Sequence, residues 1–175
     1  QFDKAFEQYK KVEGVYHHTE FYFGMGVCCQ IAAQWRQAAH YFIKAVEQDE
    51  TYRDTNLRLY RCYEKLYDME YKKADYDAAL RYINKQMEIT ENRGYRLWDR
   101  GNLYVSAMET ALAVADYEEA LAVGTVPEEE WHILWENIGV AYKNDRHFAK
   151  GYEAYRRAVE TMKEKDMTVK AYRGM

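Results

Sequence analysis

The chain has 175 residues, 48% of them hydrophobic and 16% aromatic, enough to bury one sizeable interior. Its 25 basic and 29 acidic residues give a formal charge of −4, which argues against a nucleic-acid surface. One Pro and nine Gly are too few turn formers for a sandwich or barrel, and three Cys, two of them adjacent, do not make a disulfide framework.

The chain begins at Gln1, already inside a helical pattern, which reads as part of a longer protein with a partial unit over residues 1–15. There Phe2, Ala5 and Tyr9 are spaced as one face of a helix. Residues 19–50 then place Tyr22 and, sixteen residues on, Ala38, with Trp35 three residues before the small residue. Residues 53–91 repeat this with Tyr63, Ala79 and Tyr76, and residues 94–124 with Tyr104, Ala120 and Tyr117. Residues 127–164 close the series with Trp135, Gly151 and Phe148.

A ring on the first helix of a pair needs a small residue on the second, so that antiparallel helices can approach to about 8–10 Å. Polar joints such as Ala74-Asp75 and Lys143-Asn144-Asp145-Arg146 separate the two helices. Each pair leaves an apolar face that only the next pair can cover. The predicted fold class is therefore all-α: a right-handed solenoid of antiparallel helix pairs forming a single domain over residues 1–175.

The first-helix aromatics advance by 41, 41 and 31 residues. The longer steps predict long helices near 53–73 and 94–115. The short last step predicts a truncated second helix over Asp116–Gly124, with Gly124 in the place held by Phe42 and Tyr155 elsewhere. Thr125, Pro127 and Glu128 then read as a helix start. Such a truncation would leave an apolar gap through which a second copy could associate.

These residues resemble the tetratricopeptide repeat. The last unit reads Trp135-x2-Ile138-Gly139-x2-Tyr142, then Gly151-x3-Tyr155-x2-Ala158, and the first full unit Tyr22-x2-Met25-Gly26-x2-Cys29, then Ala38-x3-Phe42-x2-Ala45. The closing proline of the pattern is absent, with Glu50 and Lys163 in its place. The resemblance implies a protein- or peptide-binding scaffold whose ligand lies on the concave face, lined by the first helices. Helical spacing writes that face as Glu20, Phe23, Val27 and Gln30, then Arg61, Glu64, Asp68 and Tyr71, then Asn102, Val105, Glu109 and Leu112, then Ile133, Glu136, Val140 and Lys143. Some members clamp chaperone C-termini with Lys, Arg and Asn; Phe23, Val27, Glu136 and Val140 stand at the matching positions and cannot hold a carboxylate. The chain is also similar in architecture to peptide-sensing regulatory proteins, in which a helical solenoid controls an attached transcription regulator or kinase.

Arg93, Arg96 and Arg100 share one helix face and form a candidate anion-binding row on the extra turns of the third unit. No pair among His17, His18, His40, His132 and His147 has metal-ligand spacing with an acid or Cys, so no metal is expected. Cys28-Cys29 falls inside a helix, with Cys29 in a packing position. The single Ser106 has no glycine elbow and there is no phosphate-binding loop, so neither catalytic residues nor a cofactor are expected. The expected partner is another protein or a peptide, with no direct nucleic-acid or membrane contact. With no signal-peptide pattern and no membrane span, the expected location is cytoplasmic.

Overall fold

The computed structural model describes residues 2–13, 15 and 17–173, and of residues 2, 3 and 164–173 the backbone alone. The side chain of Phe2, expected on a packing face, lies outside the described residues. The chain divides into two compact units, Gln1–Thr90 and Glu91–Met175. Among the described residues all regular structure is helical.

The first unit holds α1 (Phe2–Val12), α2 (Thr19–Ile31), α3 (Trp35–Gln48), α4 (Thr55–Lys72) and α5 (Tyr76–Ile89), each packed on the next. Its interior is built on Phe21, Met25, Phe42, Cys62 and Leu66, with Phe6, Tyr9 and Val12 of α1 laid against it. α2 starts at His18, whose Nδ1 accepts the Phe21 N–H at 3.2 Å and so satisfies one of the open donors of the first turn. The expected long helix near 53–73 is present as the 18 residues of α4.

The second unit holds α6 (Arg93–Ser106), α7 (Thr110–Val123), α8 (Trp131–Asn144) and α9 (Phe148–Arg173), with a 3-10 turn at Glu128–Glu130 ahead of α8. α7 packs on α6 and α8, α9 on α8, and α6 also touches α8. Leu97, Leu103, Tyr117, Val126, Leu134 and Ile138 fill its centre. No helix among the described residues is long and apolar enough to cross a membrane.

The third helix pair differs from the expectation. There is no helix over 94–115, because α6 ends at Ser106 and a turn at Ala107–Glu109 reverses the chain. α7 is then a full 14-residue helix, and the truncated helix over Asp116–Gly124 does not form. Gly124 is not a packing residue but the left-handed cap of α7, with φ 72°. With no truncation there is no gap of that origin for a second copy to fill. Thr125 and Pro127 precede the short 3-10 turn, and α8 starts later, at Trp131.

The cause is a register error of two helical turns. Leu97, not Tyr104, holds the place of Tyr22, Tyr63 and Trp135, and Ala113 is its small partner sixteen residues on. Each of the four hairpins carries a residue at positive φ eleven positions after its register residue: Ala33, Ala74, Met108 and Arg146. The second helix starts two residues later in every case. All four turns make the same pair of backbone bonds. Gln34 N–H reaches Cys29 O at 2.9 Å, and Glu109 N–H reaches Tyr104 O at 2.8 Å, while the positive-φ residue bonds three back. That double bond closes the last carbonyls of the first helix in the manner of a Schellman cap.

A second constant is a glycine on the first helix beneath a ring on the second. A Cβ at Gly101 would stand 2.5 Å from Tyr117, with 2.6 Å for Gly26 against Phe42 and 2.8 Å for Gly139 against Tyr155. In the remaining pair Tyr67 replaces the glycine and Ile83 the ring, which removes the clash at its source. Freed from that role, Tyr67 stacks on Tyr71 with centroids 5.9 Å apart.

Candidate functional site

The first helices carry the expected face, and the two units are taken separately. In the first unit Phe23 does not offer its ring to a ligand. It is 8% exposed, 6.0 Å from Phe42 and 5.5 Å from Tyr52, with the guanidinium groups of Arg53 and Arg58 over it at 5.3 and 5.5 Å. The ring is a core residue capped by cations, since α2 is packed on both sides. Val27 and Gln30 are half-buried beside it. The Gln30 carbonyl oxygen accepts from Arg58 Nη at 2.9 Å, tying α2 to α4. On α4, Glu64 and Asp68 are half-buried, Arg61 is exposed, and Tyr71 is exposed within the Tyr67–Tyr71–Tyr76 series.

In the second unit the register shift changes the membership of the face. Glu109 is corrected: it stands in the hairpin turn at the N-cap position of α7, with no side-chain capping bond, and Leu112 lies on α7 itself. Asn102 and Val105 remain on α6. The residues at the spacing that completes their face are Tyr95 and Trp98, which the sequence reading missed. Their rings stack 6.2 Å apart and 8° from parallel, and the Tyr95 hydroxyl donates to Glu130 Oε1 at 3.1 Å. Their signal in the sequence is an i, i+3 aromatic pair on the turns that the expected register places ahead of Tyr104.

Asn102 is held from two sides. Its Oδ1 accepts from the buried Tyr117 hydroxyl at 2.7 Å and from Asn137 Nδ2 of α8 at 3.4 Å. Burial raises the Tyr117 pKa far above its ordinary value, so the phenol remains a donor at any physiological pH. With its oxygen holding two donors, the exposed Asn102 amide presents its nitrogen outward. Glu136 is exposed and Val140 and Ile133 half-buried on the neighbouring α8, with Lys143 exposed near its end. The assembled face is an aromatic stack, an oriented amide, a short apolar strip and carboxylates.

The arginine row is also corrected. The three residues lie in the first two turns of α6, paired with α7, rather than on an overhang. Arg93 bonds Glu119 at 2.8 Å, Arg96 pairs with Asp99 at 2.7 Å, and Arg100 grips both oxygens of the buried Asp116. An incoming anion would compete with a carboxylate at each.

Burial disarms the thiols. Cys29 is pushed up to about 11 and Cys62 to about 12, and Cys28 is raised as well, each chiefly by desolvation. Among the described residues no group of His, Cys, Asp and Glu could hold a metal ion. His17 bonds the Tyr22 hydroxyl at 2.9 Å, and His147 pairs with Asp145 at 3.2 Å.

No family model and no curated protein matches the sequence. Solved structures do match it. MamA is 18% identical, with 95% of this chain and 91% of that one covered at a TM-score of 0.53. BtubC from P. vanneervenii is 17% identical, covering 94% of this chain and 74% of that one at 0.55. YrrB, a TPR protein with an unusual peptide-binding site, is 18% identical, covering 98% and 84% at 0.51. At these identities the likeness is one of fold, and the hairpins described above agree with it: the chain has the all-α, helical-repeat fold of tetratricopeptide-repeat proteins.

Proposed function

We infer that this chain is a protein-interaction scaffold that holds an extended segment of a partner against the α6–α8 face. The observation that carries this reading is the amide of Asn102, fixed by the Tyr117 hydroxyl and Asn137 on the same face as the Tyr95–Trp98 stack. An extended peptide has unpaired backbone carbonyls and alternating side chains. A pre-oriented amide donor serves the first need and an aromatic shelf the second. The nearby Glu130 and Glu136 favour a segment with basic residues.

The test is selection of peptides from a random displayed library by the wild-type chain, followed by affinity measurement against Asn102→Ala and Trp98→Ala. Each substitution should weaken the selected peptides about tenfold or more, with thermal unfolding kept within a few degrees of wild type. Equal affinity for the wild type and both variants would remove this face from the reading.

A further inference from the structure

The first unit contains a second opening, away from the face just described. Ala33, Gln34, Trp35, Arg36 and Gln37, at the turn into α3, enclose with Leu66 and Met69 of α4 a cavity of about 290 Å³. Its floor is apolar: Leu66 is buried, Trp35 is half-buried, and Met69 is 42% exposed. Arg36 stands on its rim. The chemistry beneath that rim is unusual for this fold, because Glu70, only 3% exposed, sits where the other hairpins have Cys29, Tyr104 and Tyr142.

Two cations share that one carboxylate. Lys73 Nζ lies 2.9 Å from Glu70 Oε2, and Arg36 Nη2 bonds Oε1. The cluster therefore carries one positive charge in excess; both cations are exposed, Arg36 at 67% and Lys73 at 57%, and Arg36 is the one that lines the cleft. An apolar cleft with a net cation on its lip selects for an amphiphile of the opposite charge. The cleft is open on one side, which suits one side chain of a larger ligand better than a wholly enclosed small molecule.

We propose that this cleft is a docking site for a partner segment that places a large aliphatic or aromatic side chain beside an Asp or Glu. The side chain enters between Trp35, Leu66 and Met69, and the carboxylate pairs with Arg36, whose guanidinium can serve two acceptors because it carries five N–H donors. The site uses no residue of the α6–α8 face and stands or falls apart from it.

The experiment is a titration of the full chain, labelled with nitrogen-15, by capped tetrapeptides containing Leu-Asp, Leu-Asn or Ala-Asp. The readout is the Trp35 indole N–H resonance, assigned by its loss in Trp35→Phe. Leu-Asp should shift it saturably, Leu-Asn should bind roughly fivefold more weakly, and Ala-Asp should leave it in place. In Arg36→Gln the Leu-Asp and Leu-Asn peptides should bind alike. Met69→Asp, at the partly exposed residue of the cleft floor, should abolish every shift. No saturable shift in the wild type, equal binding of the acidic and amide peptides there, or binding retained in Met69→Asp would each overturn the proposal.

Discussion

Arg100 and Asp116 face each other across α6 and α7 in a two-point grip, Nε and Nη2 each 2.7 Å from a different carboxylate oxygen. The Asp116 side chain is 7% exposed and that of Arg100 20%, so both ends have given up much of their hydration. The geometry that offsets this loss is specific to the pair. Asp116→Asn should deprive Arg100 of its two-point ion partner and cost about 3 kcal/mol, read as a fall in the chemical denaturation midpoint. Replacing both residues by leucine should recover a substantial part of that loss. A single substitution with no effect would show the pair to be ornamental.

Gly101→Ala should be among the most harmful small changes in the second unit. The added methyl group would stand 2.5 Å from Tyr117, a ring that is 1% exposed and cannot swing aside. A cost of about 1–3 kcal/mol is expected from overpacking, measured by thermal or urea unfolding. Adding Tyr117→Ile, the solution already present as Ile83 in the second hairpin, should return part of it.

Met108 holds a left-handed backbone at φ 63° while its side chain is 80% exposed. The conformation costs a non-glycine residue about 1 kcal/mol, and no buried contact compensates. Met108→Gly should therefore stabilise the chain by up to that amount, seen as a higher melting temperature. A drop would mean that Met108 makes contacts that matter more than its backbone strain.

Hydrogen bonding from Lys73 first, and then the charges of Lys73 and Arg36, hold the Glu70 carboxyl below its ordinary value. Its folded pKa is depressed, so the stability it contributes is complete above the unfolded carboxylate pKa of about 4.3. It is lost as pH falls from there toward the folded value. The melting-temperature gap between wild type and Glu70→Gln should be constant from pH 6 to 8 and close below about pH 4.3. A gap unchanged at pH 3 would separate Glu70 from this pair of cations.

The three cysteines should resist a thiol reagent in the native state at pH 7.5 and react fully once the chain is unfolded. Burial raises all three pKa values, to about 11 for Cys29 and about 12 for Cys62. Rapid native labelling of any one would contradict that burial.

Much of this architecture is legible in the sequence. In three hairpins a ring at Tyr22, Tyr63 or Trp135 with its small partner marked the correct pairing, because crowding between two helices leaves that trace in composition. The third failed for a physical reason. Leu97 packs where a ring was expected, while Tyr104 sits two helical turns nearer the hairpin and imitates the signal. Nothing at Ser106-Ala107-Met108-Glu109 announces a turn, since the left-handed position is held by methionine rather than glycine. That shift displaces the expected face by two turns: Asn102 and Val105 stay on α6, Tyr95 and Trp98 fall outside it, and Glu109 of the turn falls inside. Phe23 was misplaced differently: helical spacing fixes an angle, but only neighbouring helices decide whether that angle is wet. The buried Glu70 left little trace: Lys73 stands three residues on at the end of the same helix, but Arg36 comes from α3, and only the packing of α3 on α4 brings it to the carboxylate.

Inside each hairpin the count from register residue to turn is invariant, whereas the stretches between hairpins differ in length. The exposed stretch 49–51 therefore behaves as a splice point in the chain's grammar. An engineer could lengthen the protein there, for a tag or a fluorophore, and leave every hairpin's internal spelling intact. The same number of residues added at Ala107–Glu109 would make the sentence unreadable.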